Sequence, residues 1–345
     1  MEPMASLAQK QGYLERVLQR WADRLAPVSG AAASERLGYR DRVTLTARFD
    51  DDAGWRFGLM RRDELIAIHD CPVHTGRVRA LVKALAEQMP PHADVPLGYL
   101  HVAGAQATLV VKARQVDPVK LEAAVAAAAA TGIEGLWLHL HPSAGRRLFA
   151  RSGWQLLWGA PESRGPGGLL HGPTAFLQAL PRLHGEAVAA ATEFLHPGVR
   201  TAVLDLYCGL GSTLREWTAA GSSTLGIELS GEAVRLAAQN APAATVLRGT
   251  CVQRLPQARE WWSAFDGRRV AYVNPPRSGL EVEVTSSLAE QYRPERIAYL
   301  SCSAGTLARD LQELEAAGYR VHAVLPYDFF PLTHHVETLA LIERR

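Results

Sequence analysis

The sequence predicts an α/β protein in which an α+β domain with an antiparallel sheet precedes a doubly wound parallel sheet. After residue 168, short apolar runs alternate with helical segments, which is the pattern of parallel βα units. Between residues 35 and about 160, strand-like runs follow one another with only two helices among them. The segment GAPESRGPGG, residues 159–168, is rich in glycine and proline and is predicted to link the two patterns. The predicted divisions are residues 1–34, a leading helix and linker; residues 35–165, a central α+β domain; and residues 166–345, the parallel-sheet domain.

The elements of the first half follow from the spacing of apolar residues. Residues 7–26 carry them at helical intervals and are predicted to form one helix. The next three runs are predicted strands, with a turn at residues 51–54: RVTLTARF, WRFGLMRR and ELIAIHDC. A helix over about residues 75–88 precedes a hairpin of GYLHVAG and ATLVVKARQ. The segment DPVKLEAAVAAAAATG has proline near its start and glycine at its end, which predicts a helix before the strand GLWLHLH.

The second half repeats a strand-then-helix order. A helix near residues 182–196 precedes six apolar runs, most of them followed by a helical segment: TAVLDLY, STLGIEL, ATVLRG, RVAYVN, RIAYLS and RVHAVLPY. The last run, HVETLALIE, has no helix before it, so it is predicted to pair antiparallel with the preceding strand. In a sheet of this kind, ligands bind at the carboxyl ends of the parallel strands.

Composition and cysteine usage exclude several classes of protein. The chain has 345 residues, a formal net charge of +2 and 48% hydrophobic residues, which is typical of a globular protein. No apolar run reaches membrane length and the N-terminus lacks the layout of a signal peptide, so we expect a cytoplasmic protein without a membrane partner. The four cysteines are widely spaced and form no CxxC pair, which argues against a disulfide framework or a metal site.

A glycine turn after the first strand of the parallel sheet predicts a nucleoside-type cofactor. In VLDLYCGLGSTL, Gly209 and Gly211 lead into a helix, whose first N–H groups are free to meet a ligand. Glu228 ends the next strand, where a carboxylate suits the two hydroxyls of a ribose. The third glycine of a dinucleotide fingerprint is absent, since Leu214 stands there. S-adenosylmethionine, with one adenosine and no phosphate, therefore fits better, although this feature alone also allows another nucleotide-type ligand.

Three more stretches place chemical groups at strand ends. YVNPPRSGL puts Asn274 after the fourth strand, where the strand order is expected to reverse, and its two prolines fix the backbone. YLSCSAGTLARDL puts Cys302 after the fifth strand. In DFFPLTHHVETL, Glu337 lies in an otherwise apolar strand, where a carboxylate is costly unless it has a partner or a task. His334 and His335 are adjacent and would point to opposite faces of a strand, so they are not predicted to bind a metal.

A thiol and a carboxylate beside a methyl donor suit the methylation of uracil at carbon 5. Carbon 5 is a poor nucleophile until a thiolate adds to carbon 6 and makes it enolate-like. Cysteine supplies such a thiolate near neutral pH. A glutamate with a raised pKa then suits the removal of the carbon-5 proton. A pyrimidine in structured RNA must first be unstacked.

The motifs resemble those of the RNA uracil-5-methyltransferases of the class I S-adenosylmethionine fold. FLQ at residues 176–178, DLYCGLG, GIELS, NPPRSGL, SCSAGTLARDL and FFPLTHHVE occur in the order of that family. The resemblance implies a Rossmann-like class I methyltransferase sheet and a central domain that contacts RNA. It implies Cys302 as nucleophile and Glu337 as proton acceptor. It also implies a cofactor site lined by Gln178, Tyr207, Gly209, Glu228 and Asn274.

With asparagine at position 274, the chain resembles the group of this family that methylates 23S ribosomal RNA, the RlmC or RumB group. We therefore favour 23S ribosomal RNA over transfer RNA as the substrate. We also expect a monomer. Members of that group usually carry an N-terminal cysteine cluster that holds iron and sulfur with a cysteine placed like Cys71. Here only Cys71 is present, so no iron–sulfur cluster is expected. Leu180 and Thr250 replace an asparagine and an aspartate of the family pattern.

Two other functions stay open from the sequence. An N-P-P motif also suits a methyltransferase that acts on the exocyclic amine of a base, although Cys302 and Glu337 would then have no role. The chain could instead be an RNA-binding relative in which catalysis is impaired. Trapping a covalent adduct on RNA that contains 5-fluorouracil distinguishes methylation of uracil carbon 5 from methylation of an exocyclic amine. The binding-only alternative predicts RNA affinity without S-adenosylmethionine binding, which calorimetry measures.

Overall fold

The computed structural model describes residues 3–345, which form two compact units. One unit comprises residues 3–34 together with Leu180–Arg345, and the other comprises Glu35–Ala179. The division differs from the predicted one in two respects. Residues 3–34 belong with the C-terminal residues and are not a separate leader, and residues 166–179 belong with the central residues.

The N-terminal segment begins with helix α1 (Pro3–Val17), which is followed by a 3-10 segment, Gln19–Arg24. The predicted single helix over residues 7–26 is therefore wrong beyond Val17, because Trp21 has non-helical backbone angles. Leu14, Leu18 and Trp21 are each at most 1% exposed and pack into the core of the C-terminal residues. Burial of this apolar stripe explains why the segment belongs to that unit.

The central unit is built on one seven-stranded sheet. Its strand order is β3-β2-β1-β4-β5-β6-β7, and all neighbouring strands are antiparallel except β5 and β6. Its main elements are β1 (Arg42–Asp50), β2 (Gly54–Arg61), β3 (Glu64–Ala67), α2 (Gly76–Gln88), β4 (Leu97–Ala103), β5 (Gln106–Val111), α3 (Glu122–Ala129), β6 (Gly135–Leu140) and β7 (Trp154–Gly159). The parallel pair departs from the antiparallel prediction because α3 carries the chain back across the sheet between β5 and β6.

The predicted linker, residues 159–168, lies within the central unit. It begins at the last residue of β7, a strand that the sequence analysis missed, and it contains β8 (Ser163–Arg164). That strand pairs antiparallel with β9 (Leu170–His171). The glycines and prolines of this segment therefore form turns inside the unit, not a connection between units.

The C-terminal residues form the predicted parallel sheet. Its strand order is β12-β11-β10-β13-β14-β16-β15, with β10 to β14 parallel and β16 antiparallel to both of its neighbours. Its elements are α4 (Pro181–Leu195), β10 (Thr201–Leu206), α5 (Ser212–Ala219), β11 (Ser223–Glu228), α6 (Gly231–Asn240), β12 (Thr245–Arg248), α7 (Cys251–Ala264), β13 (Arg268–Val273), α8 (Val282–Ser286), β14 (Arg296–Ser301), α9 (Ala304–Ala316), β15 (Tyr319–Tyr327) and β16 (Glu337–Arg344). The final hairpin of β15 and β16 is antiparallel, as predicted.

The strand order reverses between β10 and β13, which creates a crevice at the carboxyl ends of the parallel strands. The register aligns these ends, since Leu206 pairs with Ile227 on one side and with Val273 on the other. Val273 in turn pairs with Tyr299 of β14. The residues that follow these strands therefore meet at one edge of the sheet.

Within residues 3–345, no helix has both the length and the apolar character needed to cross a membrane.

Candidate active site

The strand register brings Cys302 and Glu337 to the same edge of the sheet. Ser301, the last residue of β14, pairs with Thr338 of the antiparallel strand β16. Cys302 follows Ser301 directly, and Glu337 precedes Thr338 as the first residue of β16. The charge of this carboxylate raises the pKa of the Cys302 thiol, so the two groups interact. The structure therefore brings together the two groups that the sequence nominated for catalysis.

Burial sets the ionisation of this pair. Glu337 is 8% exposed, and its burial raises the pKa of its carboxyl to about 7, against a smaller opposing effect of Arg277. Cys302 is half-buried; burial first and the Glu337 charge second raise the pKa of its thiol. Arg277 lowers the pKa of the same thiol through its charge and a hydrogen bond. The thiolate is consequently favoured when Glu337 is neutral and Arg277 is close.

Arg277 is a member of the site to which the sequence analysis assigned no role. Its guanidinium acts on both Cys302 and Glu337, and its Nη2 lies 3.4 Å from Nε2 of His335. Its backbone carbonyl accepts a hydrogen bond from the Thr306 hydroxyl at 3.3 Å. The signal was present in the sequence, because Arg277 directly follows the Asn-Pro-Pro stretch at the strand-order reversal.

The glycine turn after β10 has the geometry of a nucleoside cradle. Gly209 and Gly211 have φ values of +53° and +78°, which favour glycine. A Cβ on Gly209 would meet no atom within 4 Å, so open space lies above this turn. The N–H groups of Gly209 and Ser230 donate to the two oxygens of Glu228, at 3.1 and 2.7 Å. These bonds hold the carboxylate in place while leaving lone pairs free for hydroxyl donors, so the residues fit a ribose.

Asn274 lies on the other side of the strand-order reversal from this turn. Its N–H donates to the Leu206 carbonyl at 3.3 Å, which continues the ladder between β10 and β13. Its half-buried side-chain amide makes no hydrogen bond within residues 3–345 and is free to meet a ligand. The Tyr207 hydroxyl is not free in this way, because it donates to the carboxylate of Glu281.

Asp205 is a completely buried carboxylate of β10 to which the sequence analysis assigned no role. Thr213 and Trp217 donate to its Oδ2, at 2.6 and 3.0 Å, whereas its Oδ1 has no partner within the described residues. Complete burial raises the pKa of this carboxyl to about 7. After burial, the charges of Asp205 and Glu337 further raise the pKa of the neighbouring Tyr272 hydroxyl. Two buried carboxyls whose pKa values are raised to about 7, those of Asp205 and Glu337, therefore act on the same tyrosine.

Four other residues singled out in the sequence lie outside the arrangement described above: Gln178, Leu180, Thr250 and Cys71. Gln178 belongs to the central unit, is half-buried and stays a prediction. Thr250 forms a capping box with Gln253 at the start of α7, and buried Leu180 precedes α4. No group of three or more metal-binding side chains occurs within residues 3–345, and Cys71 is a free, half-buried cysteine.

Comparison with known proteins finds similarity along the whole chain. A profile of the family described as tRNA (Uracil-5-)-methyltransferase matches residues 174–345. The chain is 31% identical over 360 residues to a 23S rRNA (uracil(1939)-C(5))-methyltransferase RlmD of Thiobacillus denitrificans, covering 100% of this chain and 82% of that protein. It is 30% identical over 366 residues to the protein of the same name from Pseudomonas putida, covering 98% of this chain and 75% of the relative.

A solved structure is similar in fold. The tRNA (uracil-54, C5)-methyltransferase of Pyrococcus abyssi, in complex with S-adenosyl-L-homocysteine, superposes with a TM-score of 0.73. The match covers 99% of this chain and 84% of that chain at 21% identity. At this identity the likeness bears on the fold alone, and it confirms the predicted Rossmann-like class I sheet.

Proposed function

The chain belongs to the RNA uracil-5-methyltransferase family, and from that premise we propose that Cys302 is the nucleophile and Glu337 the base of its reaction. As a member of this family it methylates carbon 5 of a uridine in RNA with S-adenosylmethionine. The observation that carries the residue assignment is the pairing of β14 with β16, since it puts a half-buried thiol beside a buried carboxyl at the ligand-binding edge.

The covalent step begins with the Cys302 thiolate. Its sulfur adds to carbon 6 of the uracil, and the electron pair of the 5,6 double bond moves toward carbon 5 and oxygen 4. Arg277 favours this step because its charge lowers the pKa of the thiol. When bound, S-adenosylmethionine supplies the methyl group that carbon 5 then accepts.

Glu337 completes the reaction by removing the proton from carbon 5. The electron pair of that carbon–hydrogen bond restores the 5,6 double bond, and the carbon–sulfur bond breaks to release the Cys302 thiolate. Because the pKa of Glu337 is about 7, the carboxyl is neutral in part of the molecules at neutral pH, when the thiolate forms most easily. It is ionised in the others, as proton removal requires.

We expect the rate of proton release to depend on pH through Glu337. Since its pKa is raised to about 7, the carboxyl is protonated below that pH and cannot accept the carbon-5 proton. Single-turnover release of tritium from RNA labelled at carbon 5 should rise with pH and bend near pH 7. The bend should vanish in Glu337→Gln and persist in Glu343→Gln, a control on the same strand. A bend that survives in Glu337→Gln contradicts the assignment.

We propose that Glu228 and Asn274 hold the cofactor, with Gly209 providing the close approach and Tyr207 completing the lining within the C-terminal unit. The fixed carboxylate of Glu228 suits the ribose hydroxyls, and the free amide of Asn274 suits a polar group in the crevice. A hydrogen bond to a charged group contributes about 1.5–3 kcal/mol.

Glu228→Gln should therefore weaken S-adenosylmethionine binding by roughly 10- to 100-fold. Isothermal titration calorimetry measures this change directly. Glu216→Gln, which alters an exposed carboxylate of α5, serves as the matched control and should bind as the wild type does. Unchanged affinity in Glu228→Gln would remove this residue from the site.

We propose 23S ribosomal RNA as the substrate. The relatives named above are described as 23S rRNA enzymes and are matched over most of their length, although they carry the RlmD designation and not the RlmC designation that Asn274 suggested. Methylation of transcribed 23S rRNA in preference to bulk transfer RNA is the expected result. The family profile is described as a tRNA methyltransferase. Methylation of transfer RNA in preference to 23S rRNA would therefore reverse this proposal.

We propose further that the central unit contacts the RNA. The loop between β6 and β7 exposes Arg146, Arg147 and Arg151, and Trp158 of β7 is 36% exposed. Exposed arginines suit a phosphate backbone, and an exposed aromatic ring on the same sheet suits an unstacked base. We propose that the protein acts as a monomer, since Cys302 and Glu337 come from one unit of one chain. We also propose a cytoplasmic location, because a reducing compartment keeps the thiol of Cys302 reduced.

A further inference from the structure

Lys10 of the N-terminal helix is bound to the loop that carries the chain into Glu337. This loop, residues 328–336, joins β15 to β16. The Lys10 ammonium forms an ion pair with Asp328 and donates to the Phe330 carbonyl at 3.1 Å. Lys10 and Asp328 are only 3% and 4% exposed. A buried ion pair is poor evidence for stability but is retained in some proteins because it fixes one geometry.

The contact of Lys10 continues along the loop through hydrogen bonds. The Phe330 carbonyl also accepts the N–H and the hydroxyl of Thr333, at 3.2 and 2.7 Å. That hydroxyl accepts the N–H of His335 at 3.2 Å. His335 lies two residues before Glu337, and its ring meets the Arg277 guanidinium. An unbroken series of contacts therefore runs from Lys10 to the residues beside the base.

The two ends of the loop are held differently. At its start, the Asp328 N–H donates to the Ser29 carbonyl at 2.8 Å, and the Phe329 side chain is fully buried. Loss of Lys10 would leave these anchors in place while removing a donor from the Phe330 carbonyl and the cation from Asp328. Cys302 does not lie in the loop, since it follows β14 directly.

We infer that Lys10 is a positioning residue for the proton-removal step, acting through the 328–336 loop on the geometry of Glu337. The inference rests on the proposed role of Glu337 as base. It assigns a function to the N-terminal segment, which the sequence presented only as a leading helix and linker. A displacement of about 1 Å at the base can slow a step by roughly 100-fold.

The test separates proton removal from attack by the thiol. Lys10→Met leaves Asp328 buried and unpaired and can fail to fold, so the double variant Lys10→Met/Asp328→Asn is measured beside it. The probe is transcribed 23S rRNA, labelled with tritium at uridine carbon 5 for proton release or containing 5-fluorouridine for adduct formation. We expect the double variant to release tritium roughly 10- to 100-fold more slowly, with adduct formation and cofactor affinity within about twofold of wild type.

Arg24→Met is the matched control. Arg24 also comes from the N-terminal segment, but it donates to the Val321 carbonyl of β15 and not to the loop. It should leave both rates unchanged. Equal loss of tritium release and adduct formation in the double variant, or no loss of either, overturns the inference. Wild-type tritium release in Glu337→Gln instead overturns the proposed base and the inference with it; slow release there with a normal double variant overturns the inference alone.

Discussion

Replacing Cys302 by alanine is expected to abolish methylation of RNA. Without the sulfur no bond forms to carbon 6, so carbon 5 stays a poor nucleophile and methyl transfer should fall by about 10⁴-fold or more. Incorporation of tritium from methyl-labelled S-adenosylmethionine into RNA measures the loss. Cofactor affinity should be unchanged, because the proposed binding residues Glu228 and Asn274 are untouched.

Cys71→Ala is the control for this experiment. Cys71 is also a free, half-buried cysteine, but it belongs to the central unit. The Cys71→Ala variant should methylate RNA at the wild-type rate. Substantial methyl transfer by Cys302→Ala would contradict the covalent mechanism and favour methylation of an exocyclic amine, which nucleoside analysis of the product distinguishes from 5-methyluridine.

Replacing Glu337 by glutamine is expected to stop the reaction after the methyl group has been accepted. The amide cannot take the carbon-5 proton, so turnover should fall by roughly 10²- to 10⁴-fold while the Cys302–RNA adduct accumulates. A denaturing gel detects the adduct as an RNA band retarded by the protein. Rapid turnover, or loss of the adduct together with turnover, would remove Glu337 from the role of base.

The same substitution should stabilise the protein in a pH-dependent way. Burial raises the pKa of Glu337 from 4.5 to about 7 in the folded chain, so the folded state holds this proton more tightly. The stabilising contribution is complete below about pH 4.5 and is lost as pH rises through 7. At pH 8.5 the ionised group is buried, and Glu337→Gln should raise the free energy of unfolding by about 3 kcal/mol.

Urea unfolding at pH 4.5 and 8.5 tests this expectation. The gain should be close to zero at the lower pH, where both side chains are neutral. Glu343→Gln is the control, because Glu343 lies on the same strand and its pKa is lowered by Arg320. A gain of equal size at both values of pH would contradict the assigned cause, since uncharged packing does not depend on the proton.

The sequence predicted the content of the parallel sheet because each βα unit is local. Once the sheet was predicted, Gly209, Glu228, Asn274 and Cys302 had to share an edge, since each follows or ends a parallel strand. Glu337 was expected at the same edge because it lies near the start of the last strand, which was predicted to pair antiparallel with the strand before it. The pairing of Ser301 with Thr338 agrees with that placement. The chemical roles of these residues remain predictions.

Long-range contacts could not be predicted in this way. Lys10 and Asp328 are separated by 318 positions, and an apolar stripe on α1 indicates burial without indicating the partner. The role of Arg277 depends on where its side chain points after two prolines. The glycine and proline content of residues 159–168 predicts a linker, whereas the observed pairing of β8 with β9 depends on residues that follow this stretch.

The central claim is that Cys302 forms the covalent bond to RNA. The most direct measurement is to trap wild-type protein on transcribed 23S rRNA containing 5-fluorouridine, digest with trypsin and nuclease, and locate the nucleotide by mass spectrometry. Fluorine at carbon 5 cannot be removed as a proton, so the adduct should persist. We expect the modified nucleotide on the peptide Ile297–Arg309, in which Cys302 is the single cysteine. A nucleotide on any other peptide, or no adduct with an RNA that the protein methylates, would contradict the claim.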